Sequence, residues 1–403
     1  MTATRTTKRK TALAIASATI LALAIGAGAA LPAQASSPEG RVLHAGAAEA
    51  VPGSYIVTLK QASGFKASTA EGKRLIADHG GRITRTYTSA LNGYAATLSG
   101  TEARRLAADP AVASVEQDQK VHATATQTGA PWGLDRIDQA NLPLNGTYTY
   151  PDTAGGGTTV YVLDTGVRIS HQQFGGRASY GYDFVDDDAV AQDGAGHGTH
   201  VATTVAGSTY GVAKKAKIVA VRVLDNNGSG TTAGVIAGVD WITANHVASS
   251  VANVSLGGGP STALDDAVRR SIASGVTYSI AAGNSGAPAS GYSPARVDTA
   301  ITVGATTRTD ARATYSNYGP VVDIFAPGSD ITAGWNTSDT ATYTGSGTSF
   351  AAPHVSGAAA VYLTNHPGAS PAAVATALVN GATSGVLTGV GTGSPNKLLK
   401  LVP

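Results

Sequence analysis

The pattern of apolar and polar positions divides the chain into three stretches. The first is an Ala-, Leu- and Ile-rich run from Ala12 to Leu31, with Lys8, Arg9 and Lys10 before it and Ala33-Gln34-Ala35 after it. A basic flank, an apolar core and an Ala-x-Ala site make a secretory signal over residues 1–35, cut after Ala35. The small-residue content of the run and its cleavage-like end argue against a membrane anchor. No later segment has the length and apolarity to cross a bilayer, so no membrane association is expected once the signal is gone.

The second stretch, residues 36–122, alternates short strands with short amphipathic helices. Strands are expected over 54–59, 82–87, 93–98 and 112–117, with helices over 69–78 and 102–108. Ser99-Gly100-Thr101-Glu102 has the spacing of a capping box, in which the serine side chain and the glutamate each satisfy a backbone N–H. The order β-α-β-β-α-β predicts a small ferredoxin-like α+β unit. It carries no catalytic cluster.

The third stretch, 123–403, shows short β-branched apolar runs separated by helical stretches. The candidate strands are 158–163, 218–224, 251–256, 276–281, 300–303 and 321–325. Near-continuous apolar strands alternating with helices predict a mostly parallel sheet covered on both faces, an α/β/α sandwich. Ligands on such sheets bind beyond the carboxyl ends of the strands, so the polar residues just after each strand are the ones to examine.

Composition narrows the chemistry. The 403 residues are 42% hydrophobic, which excludes a disordered chain. There is no cysteine, so a secreted protein of this sequence takes its rigidity from packing or bound ions rather than disulfides. Residues 1–122 hold 14 basic and 8 acidic side chains, and residues 123–403 hold 14 and 18. The large, mildly acidic part does not suit a nucleic-acid partner. All its acids are aspartates, the last glutamate being Glu116, which excludes a zincin motif and a glutamate-based glycosidase site.

Three clusters carry candidate chemistry. Asp164-Thr165-Gly166 follows the first strand directly. Asp193-Gly-Ala-Gly-His197-Gly-Thr-His200 opens an apolar periodic run, placing His197 at a helix start. Gly345-Ser-Gly-Thr-Ser349-Phe-Ala-Ala-Pro353-His354 leads through small apolar residues, Gly357 to Val361, at helical spacing. The last reads as a tight turn feeding a buried helix, with Pro353 expected in the first turn, where N–H groups have no internal partner. A serine at a helix start lies in positive potential, which favours an anionic intermediate. Taken alone, Gly-Thr-Ser reads more simply as a helix cap, Asp164 as a turn aspartate, and His197 with His200 as a possible metal pair lacking a third ligand.

Asp-Thr-Gly, His-Gly-Thr-His-Val-Ala and Gly-Thr-Ser-x-Ala-x-Pro-His-Val, in that order, resemble the subtilisin family of serine proteases and its proteinase K-like branch. Ala130-Pro131-Trp132-Gly133-Leu134 adds to the likeness, which extends nearly to Pro403. The resemblance implies a subtilisin-like three-layer fold with Ser349 as nucleophile, His197 as general base, Asp164 as its orienting partner and Asn284 as an oxyanion donor. A serine hydroxyl is a poor nucleophile at neutral pH, so a histidine of pKa about 6.5 suits the task of taking and returning its proton. His200 and His354 match family positions without a catalytic role. Gly228-Ser229-Gly230 and Ser255-Leu256-Gly257 resemble the two edges between which the family binds an extended peptide, and Leu256 with Ala282 and Gly283 suggests an open, apolar S1 pocket. The implied activity is a secreted endopeptidase of broad specificity that favours apolar or aromatic P1 side chains.

The likeness extends to regulation and ions. The 36–122 unit resembles the inhibitory propeptide of these proteases, so the chain is expected to inhibit itself, cut itself near His122 and release a monomeric enzyme starting near Ala123. No cofactor is implied for catalysis. Asp135, Asp138, Gln139, Asn145 and Thr147 resemble a calcium loop, and a second site would use the Asp323 carboxylate with the carbonyls of Asp298 and Ala300; oxygen ligands of this kind suit Ca²⁺. The Asp186-Asp187-Asp188 run reads as an acidic surface loop. Thr203 replaces a usual glycine, Phe350 a common methionine, and Thr232 a frequent tyrosine at the S4 rim. Two rival readings are a binding protein that keeps the fold without the chemistry, and an esterase of the α/β-hydrolase class, whose triad order and G-x-S-x-G motif differ from those here.

Overall fold

The structure is a computed structural model that describes residues 38–47, 49–121 and 124–402. The signal at 1–35 and the expected cut between His122 and Ala123 lie outside the described residues. Residues 57–115, with those up to Val42, form one compact unit; 43–56 and 116 onward form another.

The N-terminal α+β segment comprises β1 (Ala50–Leu59), α1 (Ala70–Asp78), β2 (Arg82–Tyr87), β3 (Gly93–Thr97), α2 (Gly100–Ala107) and β4 (Val112–Gln119), with sheet order β2-β3-β1-β4; residues 50–56 of β1 and 116–119 of β4 are grouped with the other unit. That is the expected ferredoxin-like arrangement. Val57, Leu59, Ile76, Tyr94, Leu106 and Val115 are buried. The capping box at the start of α2 forms as read, with both the Ser99 and the Glu102 bonds made.

The large unit opens with an antiparallel hairpin of β5 (Thr124–Thr128) and β6 (Thr147–Pro151), with α3 (Trp132–Ile137) between them. Then follow β7 (Thr159–Asp164), β8 (Ala178–Asp183), α4 (His197–Ala206), β9 (Lys217–Arg222), α5 (Thr232–Asn245), β10 (Ser250–Val254), α6 (Thr262–Ala273), β11 (Thr277–Ala281), β12 (Ile301–Thr306) and β13 (Ile324–Pro327). A second hairpin, β14 (Ile331–Gly334) and β15 (Thr342–Gly345), leads into α7 (Thr348–Asn365). The chain continues with α8 (Pro371–Gly381), β16 (Thr383–Ser384) and β17 (Lys397–Leu398). Among the described residues the main sheet runs β16-β17-β13-β12-β11-β10-β7-β9-β8, parallel except for the β16–β17 pair.

Period-two alternation in fully buried strands sorts side chains to two helical layers. Val160 and Val162 of β7 join a core with Val201 and Val205 of α4 and Val355 and Ala359 of α7. Tyr161 and Leu163 join another with Val235 and Val239 of α5 and Leu264 and Val268 of α6. β5, β6, β8 and β14 to β17 lie outside the expected strands, and β13 starts later than expected. β8 (ASYGYD) is an edge strand of polar and aromatic residues with a register break between Tyr180 and Tyr182, so it lacks the apolar run that marks its neighbours. β13 begins at Ile324 rather than 321, because Val322 still donates to Gly319 in a turn.

Candidate active site

Strand order reverses beside β7, whose neighbours are β9 on one side and β10 on the other. Asp164 ends β7, Ser255 follows β10 and Asn284 follows β11, so all three stand at the carboxyl edge around this switch point. Asp164 is fully buried. Its Oδ1 accepts the Thr165 N–H at 2.7 Å and lies 2.7 Å from His197 Nδ1. A carboxylate only accepts, so Nδ1 carries the proton and Nε2 is left as the acceptor of the neutral ring. The close approach depends on Gly198: a Cβ there would sit 2.0 Å from the Gly166 carbonyl oxygen, so only glycine lets the first turn of α4 rest on the Asp164–Gly166 turn.

Asp193, which the sequence marked only as part of a motif, holds that turn. Its buried carboxylate accepts the Thr165 hydroxyl (2.8 Å), the Ala195 and Gly196 N–H groups (3.0 and 2.7 Å) and both the N–H and hydroxyl of Thr199 (2.9 and 2.6 Å). Thr165 Oγ1 in turn accepts the Gly198 N–H at 2.9 Å. Desolvation pulls the His197 pKa down, but the Asp164 charge, its hydrogen bond and the more distant Asp193 charge outweigh it, leaving the ring above its usual 6.5.

Ser349 is the second residue of α7, and its hydroxyl donates to the Ser255 carbonyl at 3.1 Å. The helix starts at Thr348, so Pro353 falls in the second turn rather than the first. Its missing N–H deprives the carbonyl four residues back, that of Ser349, of the helical partner. Ser255 supplies the replacement: its hydroxyl donates to the Ser349 carbonyl at 2.8 Å. Asn284 Oδ1 accepts both the N–H (2.8 Å) and the hydroxyl (2.9 Å) of Thr348. Both lone-pair positions being used, the amide is locked with Nδ2 on the side of Gly347, where a Cβ would lie 3.5 Å from it.

A cleft of about 630 Å³ opens from His197, lined on one side by Gly228, Ser229 and Gly230 and on the other by Ser255, Leu256 and Gly257. Leu224, Val235 and Leu264 give it an apolar floor, and Thr232 also lines it. Ala282 and Gly283 are absent from the lining. Ala282 is buried in a separate cluster with Val322 and Phe325, and the Gly283 N–H donates to Thr348 Oγ1 at 3.1 Å, next to Ser349.

Residues 155–396 match the subtilase family and residues 54–124 match the peptidase inhibitor I9 family. The chain belongs to the subtilase family. It is a serine protease carrying an inhibitor-type segment at its N-terminal side, which sets aside both rival readings of the sequence. It is 52% identical over 386 residues to an extracellular serine proteinase of a Thermus species, covering 91% of this chain and 94% of that one. It is 49% identical to alkaline serine exoprotease A of Vibrio alginolyticus, covering 87% of this chain and 67% of that one. A cold adapted subtilisin-like serine proteinase of known crystal structure is 53% identical, with a TM-score of 0.67, and aligns with 68% of this chain and 100% of its own.

Other features of this subtilase fall outside the dyad. His200 Nε2 bonds the Ile331 carbonyl and His354 Nδ1 the Phe350 carbonyl, at 3.0 and 2.9 Å; burial pushes their pKa values down to about 3 and about 4. The two rings are neutral buried groups, and among the described residues no three His, Cys, Asp or Glu side chains gather as a metal cluster. Thr203 Oγ1 accepts the Gly334 N–H at 2.8 Å, tying α4 to β14. Phe350 is buried with its ring centroid 5.5 Å from His197 and 4.3 Å from His200.

The residues expected to hold calcium take varied positions. Asp135 accepts the N–H groups of Asn145 and Gly146 at 3.1 and 2.8 Å, and Asn145 Oδ1 accepts from Thr147. Gln139 donates to the carbonyls of Asn141 and Pro143. Asp138 Oδ2 accepts the Thr149 N–H at 2.6 Å while its Oδ1 is buried without a partner. Asp323 accepts the Thr302 N–H at 2.8 Å, and the exposed Asp298 carboxylate pairs with Arg269 at 3.1 Å.

Proposed function

We propose that this secreted subtilase is an endopeptidase that cuts proteins through an acyl-enzyme, with Ser349, His197 and Asp164 as triad and Asn284 as oxyanion donor. The observation that carries the reading is the 2.7 Å bond from His197 Nδ1 to a fully buried Asp164 on the sheet edge whose Ser255 carbonyl receives the Ser349 hydroxyl. When a peptide enters the cleft, the Ser349 hydroxyl turns from the Ser255 carbonyl to His197 Nε2, which takes its proton as the oxygen attacks the scissile carbonyl. Catalytic hydrogen bonds of this kind are often unmade in the free enzyme. The oxyanion meets Asn284 Nδ2 and the Ser349 N–H, one of the first-turn groups with no partner inside the helix. His197 then returns the proton to the leaving amine, and water repeats the sequence to release the acyl half.

Peptide substrate pairs as an added strand between Gly228–Gly230 and Ser255–Gly257, which favours sequence-tolerant binding. The apolar floor formed by Leu224, Val235 and Leu264, with Leu256, supports a preference for apolar or aromatic residues on the acyl side. Residues 1–35 act as signal, 36–122 as inhibitory propeptide and 123–403 as a monomeric catalytic domain. Expression of the wild type and Ser349→Ala tests this. The wild type should be processed near residue 122 and digest casein, and the alanine variant should do neither. An alanine variant that matures itself and digests casein like the wild type overturns the mechanism.

Catalysis needs no cofactor, and Ca²⁺ is proposed as a structural ion. At Asp138, burial and secondarily the charge of Asp135 hold the pKa above the usual carboxylate value, and one oxygen lacks a partner. Two crowded carboxylates with Gln139, Asn145 and Thr147 oxygens nearby in sequence fit a hard divalent cation. Burial likewise pushes Asp323 up to about 6, which a cation held with the carbonyls of Asp298 and Ala300 would relieve.

A further inference from the structure

Asn284 stands in a loop that has little of its own to hold it in place. Residues 283–287, Gly-Asn-Ser-Gly-Ala, follow β11, and 284–286 are exposed. The loop offers no apolar group larger than a methyl for packing, so its position has to come from backbone hydrogen bonds. Most of those bonds go to one residue. It is Asn317, fully buried in the segment between β12 and β13.

Asn317 grips the chain on both sides of Asn284. Its Oδ1 accepts the N–H groups of Ser285 and Ala287 at 3.0 and 3.1 Å, and its Nδ2 donates to the Ala282 carbonyl at 2.8 Å. Two N–H donors can face only the oxygen of the amide, so its partners set its orientation. Its own backbone N–H donates to the Gly283 carbonyl at 2.9 Å, and its neighbours add to the lacing: the Gly286 N–H donates to the Tyr315 carbonyl at 2.8 Å and the Tyr318 N–H to the Ala287 carbonyl at 3.1 Å. Gly283 makes the approach possible. It has φ +102°, and a Cβ there would lie 2.4 Å from Asn317 Nδ2. On the other side, the buried Ser316 hydroxyl accepts the Ala305 N–H of β12 at 3.0 Å, which ties the segment to the main sheet. Thr348 fixes the side chain of Asn284, and Asn317 fixes the backbone that carries it.

We propose that Asn317 is a positioning residue for the oxyanion hole, acting on the reaction through Asn284 by fixing the backbone on either side of it. The inference rests on the reading of Asn284 as oxyanion donor given above. Such a donor is effective because it is already aimed at the developing charge and needs no reorganisation at the moment of reaction. Without the Asn317 side chain the loop loses three of its ties, and a displacement of about 1 Å is enough to cost rate. The cleft walls, and with them substrate affinity, are left as they were.

The test is a double-mutant cycle on the mature enzyme with Asn317→Ala, Asn284→Ala and the two combined. Each precursor is cut by tagged wild-type enzyme that is then removed, and Ser349→Ala treated in the same way is the blank. Asn317→Ala alone should lower kcat about tenfold, worth about 1.4 kcal/mol, with KM changed less than twofold. In the Asn284→Ala background the same substitution should cost less than twofold, because no donor remains to be aimed. Asn317→Ser, which leaves room for a water at the freed groups, goes through the same cycle and should give the same pattern. Wild-type kcat in Asn317→Ala, an equal loss in both backgrounds, or failure of both Asn317 variants to fold overturns the proposal, the last two because Asn317 then serves the domain as a whole. Wild-type kcat in Asn284→Ala would instead overturn the oxyanion assignment itself, so the two failures are told apart.

Discussion

Replacing Asp164 by asparagine separates two things that a triad aspartate does, because the surroundings of the two oxygens differ. Oδ1 accepts from both Thr165 N–H and His197 Nδ1, whereas Oδ2 is buried with no hydrogen-bond partner. An asparagine would keep its carbonyl oxygen at the Oδ1 position, since its NH₂ cannot face two donors. The productive tautomer of His197 is therefore retained, and the loss is that of charge. Two unit charges about 4 Å apart in a medium of effective dielectric about 20 attract by about 4 kcal/mol. Removing this from the imidazolium formed in the transition state slows the reaction by about 10³-fold. Tautomer inversion in another triad protease costs about 10⁴.

The pH profile gives the sign. His197 acts as base only when neutral, so activity falls as pH drops through its pKa, which in the wild type lies above 6.5. With the Asp164 charge gone, desolvation is the largest remaining influence and the acidic limb moves down. The variant cannot be relied on to mature itself, so it would be cut at the junction by added wild-type enzyme and repurified before assay on a peptide p-nitroanilide from pH 5 to 9. A fall of less than tenfold, an acidic limb that moves up, or a ¹⁵N spectrum showing the proton on Nε2 would refute the reasoning.

Two further perturbations probe stability rather than rate, and both are best read in a Ser349→Ala background to prevent self-digestion. Arg136 is fully buried, its guanidinium bonded to both oxygens of Asp310 at 2.7 and 3.0 Å and to the carbonyls of Gln139 and Ala140. Asp310→Ala leaves that charge uncompensated and should cost about 3–5 kcal/mol in denaturant unfolding; a cost below about 1 kcal/mol would show the pair to be unimportant. Chelation of Ca²⁺ should lower Tm by about 5–10 °C, from about 2.7 kcal/mol of linkage at a hundredfold excess over Kd, with Asp138→Asn abolishing part of the response. A Tm indifferent to chelator would remove calcium from the account.

What was readable in the sequence follows from what the physics makes local. The parallel sheet announced itself because strands buried on both faces must be apolar throughout, and the positions of Asp164 at the end of β7 and Asn284 after β11 then put them on one edge. β8 escaped notice because an edge strand is half exposed and needs no such run. The supporting shell escaped for a different reason: it is made by contacts between residues far apart in the chain. Nothing near Asn284 in sequence says that Thr348 orients it, and nothing near Ala282 says that its side chain turns into a cluster with Phe325 rather than into the cleft.

Pro353 shows most clearly how such a contact changes the meaning of a residue. Read locally, a proline shortly after a serine turn is a first-turn residue with nothing at stake. With the helix starting at Thr348, the same proline takes the helical partner from the carbonyl of the nucleophile itself, and Ser255 fills the vacancy while its own carbonyl receives the Ser349 hydroxyl. The proposed nucleophile is thus held at both its carbonyl and its hydroxyl by one residue of the proposed substrate-binding edge. A peptide pairing along Ser255–Gly257 adds its strand next to the contact that must break for the Ser349 hydroxyl to reach His197. Under the proposed mechanism, binding of the acyl half and release of the nucleophile would be coupled through Ser255, a link that the packing of β10 against α7 brings into being.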